Sequence, residues 1–78
     1  MKTTEYCEVI RNRPDRAGIR EAWIERAIRT PVEEVVQADG RIRRWARIPE
    51  AGNRYLRVVL LADGQTVHDF FFDRRFAP

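Results

Sequence analysis

His68 is the residue best suited to acid–base chemistry in this 78-residue chain, because it is the only histidine. Imidazole is the side chain whose ordinary pKa lies nearest to neutral pH. A two-residue turn at Asp63-Gly64 predicts that His68 and Arg57 lie diagonally adjacent on one face of a β-hairpin. A histidine there could act as a general base while the guanidinium stabilises a phosphorane-like charge, which is the chemistry of metal-free RNA cleavage. The alternative is that His68, which precedes three phenylalanines, packs as a hydrogen-bonded core residue.

A second group of residues combines positive charge with an aromatic ring. Strand alternation over 41–48 places Arg43, Trp45 and Arg47 on one face of a sheet, and Arg74 lies in a neighbouring element. Arginines that neutralise phosphates, with a ring on which a base stacks, are typical of surfaces that bind single-stranded RNA or DNA. The alternative is a solvated strand whose charges discourage edge aggregation, with Trp45 as an ordinary core residue.

The composition of the chain favours the same class of partner. There are 15 basic and 12 acidic residues, the formal net charge is +3, and Lys2 is the only lysine. The planar fork of arginine suits bidentate contacts with phosphate or carboxylate, and it stacks on bases. Codon bias in a GC-rich genome also produces an excess of arginine, so both explanations stay open.

Several other kinds of site are not indicated. Cys7 is the only cysteine, so neither an internal disulfide nor a zinc cluster is expected. The sequence has no Gly-rich phosphate loop, no metal-ligand cluster and no Ser/His/Asp arrangement, and we expect no cofactor and no metal. No apolar run is long enough for a signal peptide or a membrane span, which favours a cytoplasmic protein.

Two helices are expected in the first part of the chain. The first covers 4–13 and ends at Pro14, after which Asp15 is the candidate N-cap of the next helix. The second covers 19–29, where apolar residues recur at helical spacing. It ends at Thr30, because the residue before a proline is pushed out of the α region.

After residue 31 the pattern changes to that of strands, with two hairpins joined by the loop 49–53. Asp39-Gly40 and Asp63-Gly64 are predicted to form two-residue turns of type I′, and these turns set the register of each hairpin. The register would place Val35 opposite Arg44, Val59 opposite His68 and Val58 opposite Asp69. The sequence thus predicts one α+β domain, residues 1–78, with two N-terminal helices packed on a four-stranded antiparallel meander sheet.

This register divides the side chains of the second hairpin between two faces. The face toward the helices would carry Leu56, Val58, Leu60, Val67 and Phe71. The opposite face would carry Tyr55, Arg57, Val59, Leu61, His68, Phe70 and Phe72. The core between helix and sheet is therefore predicted to be Trp23, Ile24, Ile28, Leu56, Val58, Leu60 and Phe71. Since a domain of this size buries only about 60% of its unfolded surface, association as a homodimer or with a dedicated partner is an open alternative.

Five blocks of the sequence together resemble a known group of proteins. They are Arg13-Pro14, Glu21-Ala22-Trp23, DGRIRRWARIPE at 39–50, YLRVVLLADGQTVH at 55–68 and FFDRRF at 71–76. The group is a family of small bacterial proteins of about this length without an established activity, so the resemblance implies no catalytic residue. Its pattern has Asn-Ala where this chain has Asp69-Phe70, so it implies no role for the position after His68.

In architecture, the expected fold is similar to the RelE and BrnT group of toxin–antitoxin ribonucleases. That resemblance implies a small ribonuclease toxin or RNA-binding domain, with RNA or an acidic antitoxin-like protein as its partner. No catalytic residue of the group is matched to a position here. The alternative is a non-catalytic domain for protein interaction or homodimerisation, in which the arginines only confer solubility.

Overall fold

Three helical segments precede a four-stranded antiparallel sheet in the computed structural model, which describes all 78 residues. The strands lie in the order β1-β2-β3-β4, so the predicted α+β class and antiparallel meander are confirmed. A turn of 3₁₀ helix, Pro49–Ala51, joins the two hairpins. The elements are α1 Glu5–Ile10, α2 Pro14–Ala17, α3 Glu21–Arg29, β1 Glu33–Val36, β2 Ile42–Ile48, β3 Arg54–Leu60 and β4 Val67–Phe72.

The helical part has one more segment than predicted, because α1 ends at Ile10, before the predicted residue 13, and Pro14 begins a separate helix. Pro14 occupies the first turn of α2, where a backbone amide would have no helical partner and a fixed φ is already suitable. Asp15 was predicted as the N-cap of the helix over 19–29, but it lies inside α2, and the N-cap of α3 is Arg20, so that prediction is wrong. The longest helix, α3, has nine residues, and no helix is both long and apolar enough to cross a membrane.

Both Asp-Gly turns have a left-handed residue only at the glycine. The φ angle is +89° at Gly40 and +69° at Gly64, and Asn53 is the only non-glycine residue with a positive φ. A type I′ turn requires a positive φ at both central residues, so the predicted I′ turns are wrong. Each aspartate instead accepts hydrogen bonds from amides that follow it, Asp39 from Arg41 and Asp63 from Gln65 and Thr66. Such hydrogen bonds stabilise loops that are longer than the predicted two-residue turns.

The loop between β1 and β2 is longer than the predicted two-residue turn, and this moves the register of the two strands by one residue. Val35 lies opposite Arg43, where the predicted register placed Arg44. Glu34 lies opposite Arg44, whose Nε donates to the glutamate carboxylate at 2.7 Å. The one-residue difference therefore produces a cross-strand ion pair that the predicted register did not contain.

β4 contains a β-bulge at His68. Leu60 pairs with Val67, as predicted, but Val59 pairs with Asp69, so His68 is an extra residue between them. Because side chains alternate along a strand, every side chain of β4 after the bulge lies on the opposite face from the predicted one.

This change of face corrects the predicted positions of three phenylalanines. Phe70 belongs to the core and is 2% exposed, and the ring of Phe72 lies 6.2 Å from that of Trp23, centroid to centroid. Phe71 lies on the other face, opposite Arg57. The assignment of Phe71 to the core, and of Phe70 and Phe72 to the opposite face, was wrong.

A core of 13 buried side chains lies between the helices and one face of the sheet. Of the predicted core residues, Ile28 is only partly buried, and the core contains Phe70 where Phe71 was predicted. The members are Cys7, Ile10, Ile19, Trp23, Ile24, Ala27, Ala46, Ile48, Leu56, Val58, Leu60, Val67 and Phe70. The opposite face of the sheet is left for other contacts.

Leu60→Ala tests the assignment of the core face. Leu60 is fully buried, so the substitution leaves a cavity and should lower the free energy of unfolding by about 2 to 5 kcal/mol. Chemical denaturation of parent and variant measures this difference. As the control, Val36→Ala on β1, where the side chain is 64% exposed, should change stability by less than about 0.5 kcal/mol. A Leu60→Ala protein that melts within a few degrees of the parent would show that the core is misassigned.

Candidate nucleic-acid interface

The face of the sheet that points away from the core, here called the outer face, carries arginine, aromatic and aspartate side chains. Arg43, Trp45 and Arg47 lie on it together, as strand alternation predicted, and they pair across β3 with Val59, Arg57 and Tyr55. β4 contributes Asp69 and Phe71. Residues 73–76, the C-terminal segment, lie over one end of this face and contact Trp45.

Trp45 lies beneath the C-terminal segment and is only 5% exposed. The Phe76 ring stacks on it, with centroids 4.7 Å apart and planes 14° from parallel. Tyr55 meets Phe76 edge-on at 5.1 Å, and the indole Nε1 donates to the Asp73 carboxylate at 3.0 Å. The outward surface of Trp45, predicted as a stacking platform, is therefore covered by Phe76 in the free protein.

Arg57 lies in the middle of the outer face, near two aromatic rings. Its guanidinium carbon is 5.8 Å from the ring centroid of Trp45 and 5.1 Å from that of Phe71. Nη1 is 3.6 Å from the Asp73 carboxylate, and Nε is buried without a hydrogen-bond partner. Arg57 is thus a well-packed cation whose charge is balanced by Asp73.

Asp73 connects the C-terminal segment to the sheet. Its carboxylate accepts from Trp45 and from the Arg75 amide, and its own amide donates to the Tyr55 carbonyl. Burial raises the pKa of Asp73, but the hydrogen bonds from Trp45 and Arg75 and the charge of Arg57 outweigh this and lower it. The carboxylate is therefore ionised at neutral pH.

His68 makes its contacts with the N-terminal residues. Its Nδ1 lies 3.0 Å from the Thr4 hydroxyl, which also accepts from the Cys7 amide at the start of α1. The Tyr6 ring stacks on the imidazole with centroids 4.9 Å apart. No hydrogen bond or ring contact joins His68 to Arg57, so the structure does not bring the predicted catalytic pair together.

The free edge of β4 is covered by backbone and by an arginine. The Thr4 amide donates to the Val67 carbonyl at 3.0 Å, and the Val67 amide donates to the Lys2 carbonyl at 2.9 Å. Further along, Arg16 Nε donates to the Phe70 carbonyl at 3.1 Å. The other edge strand of the sheet, β1, is exposed at all four of its residues.

Seven arginines form ion pairs with carboxylates, and they are Arg11, Arg16, Arg26, Arg29, Arg41, Arg44 and Arg57. The pair between Arg26 and Glu50 is bidentate, and the hydrogen bonds from Arg26 lower the pKa of Glu50 to about 2. The remaining basic residues have no carboxylate within 4.0 Å, and they are Lys2, Arg13, Arg20, Arg43, Arg47, Arg54, Arg74 and Arg75.

The predicted binding residues Arg43 and Arg47 belong to this unpaired set, and their hydrogen bonds are with neutral side chains. Both Nε and Nη2 of Arg47 donate to the Asn53 side-chain oxygen, at 3.2 and 2.9 Å. Arg43 Nη2 donates to the Gln37 side-chain oxygen at 2.8 Å when the Gln37 amide is oriented with that oxygen toward the guanidinium. These contacts orient the guanidinium groups without balancing their charge.

A groove of about 280 Å³, here called the basic groove, lies at the end of the sheet where β3 begins and β4 ends. The guanidinium of Arg54 lies 3.8 Å from the ring centroid of Phe72, and its Nε donates to the Ala51 carbonyl at 2.9 Å. The predicted residue Arg74 lies on the same groove and forms no ion pair. The lining residues are Arg54, Tyr55, Phe72, Asp73, Arg74 and Phe76.

Arg54 and Tyr55 were not among the predicted site residues. Tyr55 lies in the basic groove beside Phe76, which it meets edge-on, and Arg54 lies there over the ring of Phe72. Neither feature has a signal in the local sequence. The available signal was the run of aromatic and basic residues at 71–76 beside Arg54-Tyr55 in the neighbouring strand.

Comparison of the chain with protein-family models, with curated proteins and with solved structures found no match.

Asp73→Asn should destabilise the protein at neutral pH, because asparagine cannot balance the charge of Arg57. The carboxylate is 12% exposed, and the expected loss is about 1 to 3 kcal/mol. Since folding lowers the pKa of Asp73 below its unfolded value of about 3.9, its stabilising effect is complete above that pH and is lost as the pH falls through the folded pKa. Urea unfolding should thus show a larger difference between parent and variant at pH 7 than at pH 3.

The control for this prediction is Asp39→Asn, which changes an aspartate that is 55% exposed and lies 3.9 Å from its arginine. It should have a smaller effect at pH 7. An Asp73→Asn effect of equal size at both pH values would mean that the charge of Asp73 does not stabilise the fold.

Proposed function

We propose that the protein is a cytoplasmic RNA-binding domain that holds a single strand by its phosphates along the outer face and the basic groove. The observation that carries this proposal is the distribution of arginines without carboxylate partners. Arg43 and Arg47 lie on the outer face, while Arg54 and Arg74 line the groove at its end, with Arg75 next in the chain. Phosphate binding would neutralise charges that the fold itself leaves unbalanced.

The aromatic lining of the groove favours a single strand over a duplex. Tyr55 and Phe72 lie beside Arg54 and Arg74, and a ring beside a cation is the combination that binds an unpaired nucleotide. Only an unpaired base can leave its neighbours and stack on a protein ring. The Tyr55 hydroxyl can donate to a phosphate or accept from a ribose 2′-hydroxyl, which supports RNA as the ligand.

No residue of this interface is placed to cleave RNA. A general base must lie within hydrogen-bond reach of the proton that it removes, directly or through one water. The contacts of His68 are with Thr4 and Tyr6, and Arg57 is engaged by Asp73. Binding without catalysis is therefore the function that these contacts support best.

Self-association of two copies through β1 is a second candidate, favoured by the exposure of Val32, Val35 and Val36 at the open edge of the sheet. Antiparallel pairing of two β1 strands could place Glu33 opposite Val36, so that no carboxylate faces another. The two glutamates in a four-residue strand oppose this association, because charged residues on short edge strands discourage pairing. Association through apolar side chains would not weaken as salt is added.

Binding of a labelled single-stranded RNA, measured by fluorescence anisotropy over a range of salt concentrations, tests the proposal. The logarithm of the affinity should fall linearly with the logarithm of salt, by about 0.7 per phosphate contact. Arg74→Gln should weaken binding and reduce this slope by about 0.7, because one phosphate contact is lost.

The matched control is Arg29→Gln, which also removes one charge from an exposed arginine, but from one paired with Glu25. It should leave affinity and slope nearly unchanged. Equal effects of the two substitutions would show that net charge, and not the unpaired arginines, governs binding. Absence of binding by the parent at low salt would refute the proposal.

A further inference from the structure

We infer that the outward surface of Trp45 is a stacking position for one nucleobase, and that Phe76 occupies this position until RNA displaces it. The inference rests on the proposed function and specifies where a base is held. It concerns the only aromatic ring on β2, which lies between Arg43 and Arg47 on the outer face.

The contact between Phe76 and Trp45 has the geometry of a stacked base. The rings are 14° from parallel with centroids 4.7 Å apart, and the indole Nε1 of Trp45 donates to the Asp73 carboxylate. A planar base could replace the phenyl ring without any change in Trp45, because the indole is already held in place. Stacking on a fixed ring loses little conformational entropy on binding.

The charges beside Trp45 match a nucleotide better than a phenyl ring. Arg43 and Arg47 are two residues away on either side, so their Cα atoms are about 13 Å apart along the strand. Neither arginine has a carboxylate partner, and a base stacked on Trp45 would bring its flanking phosphates toward them. Phe76 leaves both charges unbalanced.

Phe76 is attached to the domain less firmly than Asp73. Its amide donates to the Asp73 carbonyl at 3.4 Å, which is at the long end of the hydrogen-bond range. The other contacts of Phe76 are through its ring, with Trp45 and Tyr55. Asp73, in contrast, is held by its amide and by its carboxylate. Rotation of the backbone between Asp73 and Phe76 could therefore release the ring while Asp73 stays in place.

Displacement of Phe76 would also extend the basic groove. Phe76 is one of the groove residues, and the Trp45 ring lies directly beneath it. Without the phenyl ring, the groove would run from Arg54 and Arg74 to Trp45. A strand could then bind through its phosphates at one end and through a base at the other.

Phe76→Ala is the substitution that tests the inference, with Phe76→Tyr as the matched control that keeps a stacked ring. Removal of the competing ring should tighten binding of an oligoadenylate by about 3- to 10-fold, as expected for the loss of one aromatic pair. Phe76→Tyr should bind like the parent. When Trp45→Leu is added to both the parent and the Phe76→Ala protein, the difference in affinity between them should disappear, because the stacking position itself is lost.

A second measurement keeps the test valid if Phe76→Ala alters stability. In a Trp23→Phe background, fluorescence reports Trp45 alone. Acrylamide should quench Trp45 more in the Phe76→Ala protein than in its parent, and oligoadenylate should restore the protection. An oligonucleotide of the same length with abasic sites should bind the parent more weakly, with an unchanged salt slope, because only stacking is removed.

The outcomes separate the inference from the proposed function. If RNA binds with the expected salt dependence but Phe76→Ala weakens binding or leaves it unchanged, Phe76 is not a displaceable cover and the inference is wrong. If abasic and normal strands bind equally, no base stacks on Trp45. If the parent binds no RNA at any salt concentration, the proposed function itself fails.

Discussion

The β-bulge at His68 determines which side chains of β4 reach the core and which reach the outer face. One additional residue between Val67 and Asp69 shifts the alternation, so Phe70 enters the core while Phe71 lies on the outer face. The N-terminal residues stabilise the bulge, since the Thr4 hydroxyl contacts the imidazole and the Thr4 amide binds the Val67 carbonyl. Without the bulge, the register of the C-terminal segment against β3 would differ, and so would the interface that depends on it.

The charges on the outer face follow from this arrangement. Phe71 lies near two guanidinium groups, with Arg16 at 5.8 Å and Arg57 at 5.1 Å from its ring centroid. Each arginine has a carboxylate from β4 or the C-terminal segment within 4 Å, Asp69 for Arg16 and Asp73 for Arg57. These two arginines therefore stabilise the sheet, and the proposed phosphate contacts are made by the arginines without such partners.

The features that could be predicted from the sequence are those that depend on local patterns. The apolar spacing of α3, the strand alternation of β2 and the order of the hairpins all have this basis. The bulge could not be predicted, because the three consecutive phenylalanines at 70–72 place an aromatic ring on both faces in either register. In the interface, the basic character of Arg43, Arg47 and Arg74 was visible, but which arginines pair with carboxylates depends on tertiary contacts.

The measurement that tests the central claim most directly is an NMR titration of the arginine Nε–H groups with single-stranded RNA at low salt. The account predicts changes in chemical shift at Arg47, Arg54 and Arg74, which have no carboxylate partner, while the resonances of Arg26 and Arg44, bound to Glu50 and Glu34, stay in place. Equal changes at paired and unpaired arginines, or changes confined to the paired ones, would contradict it.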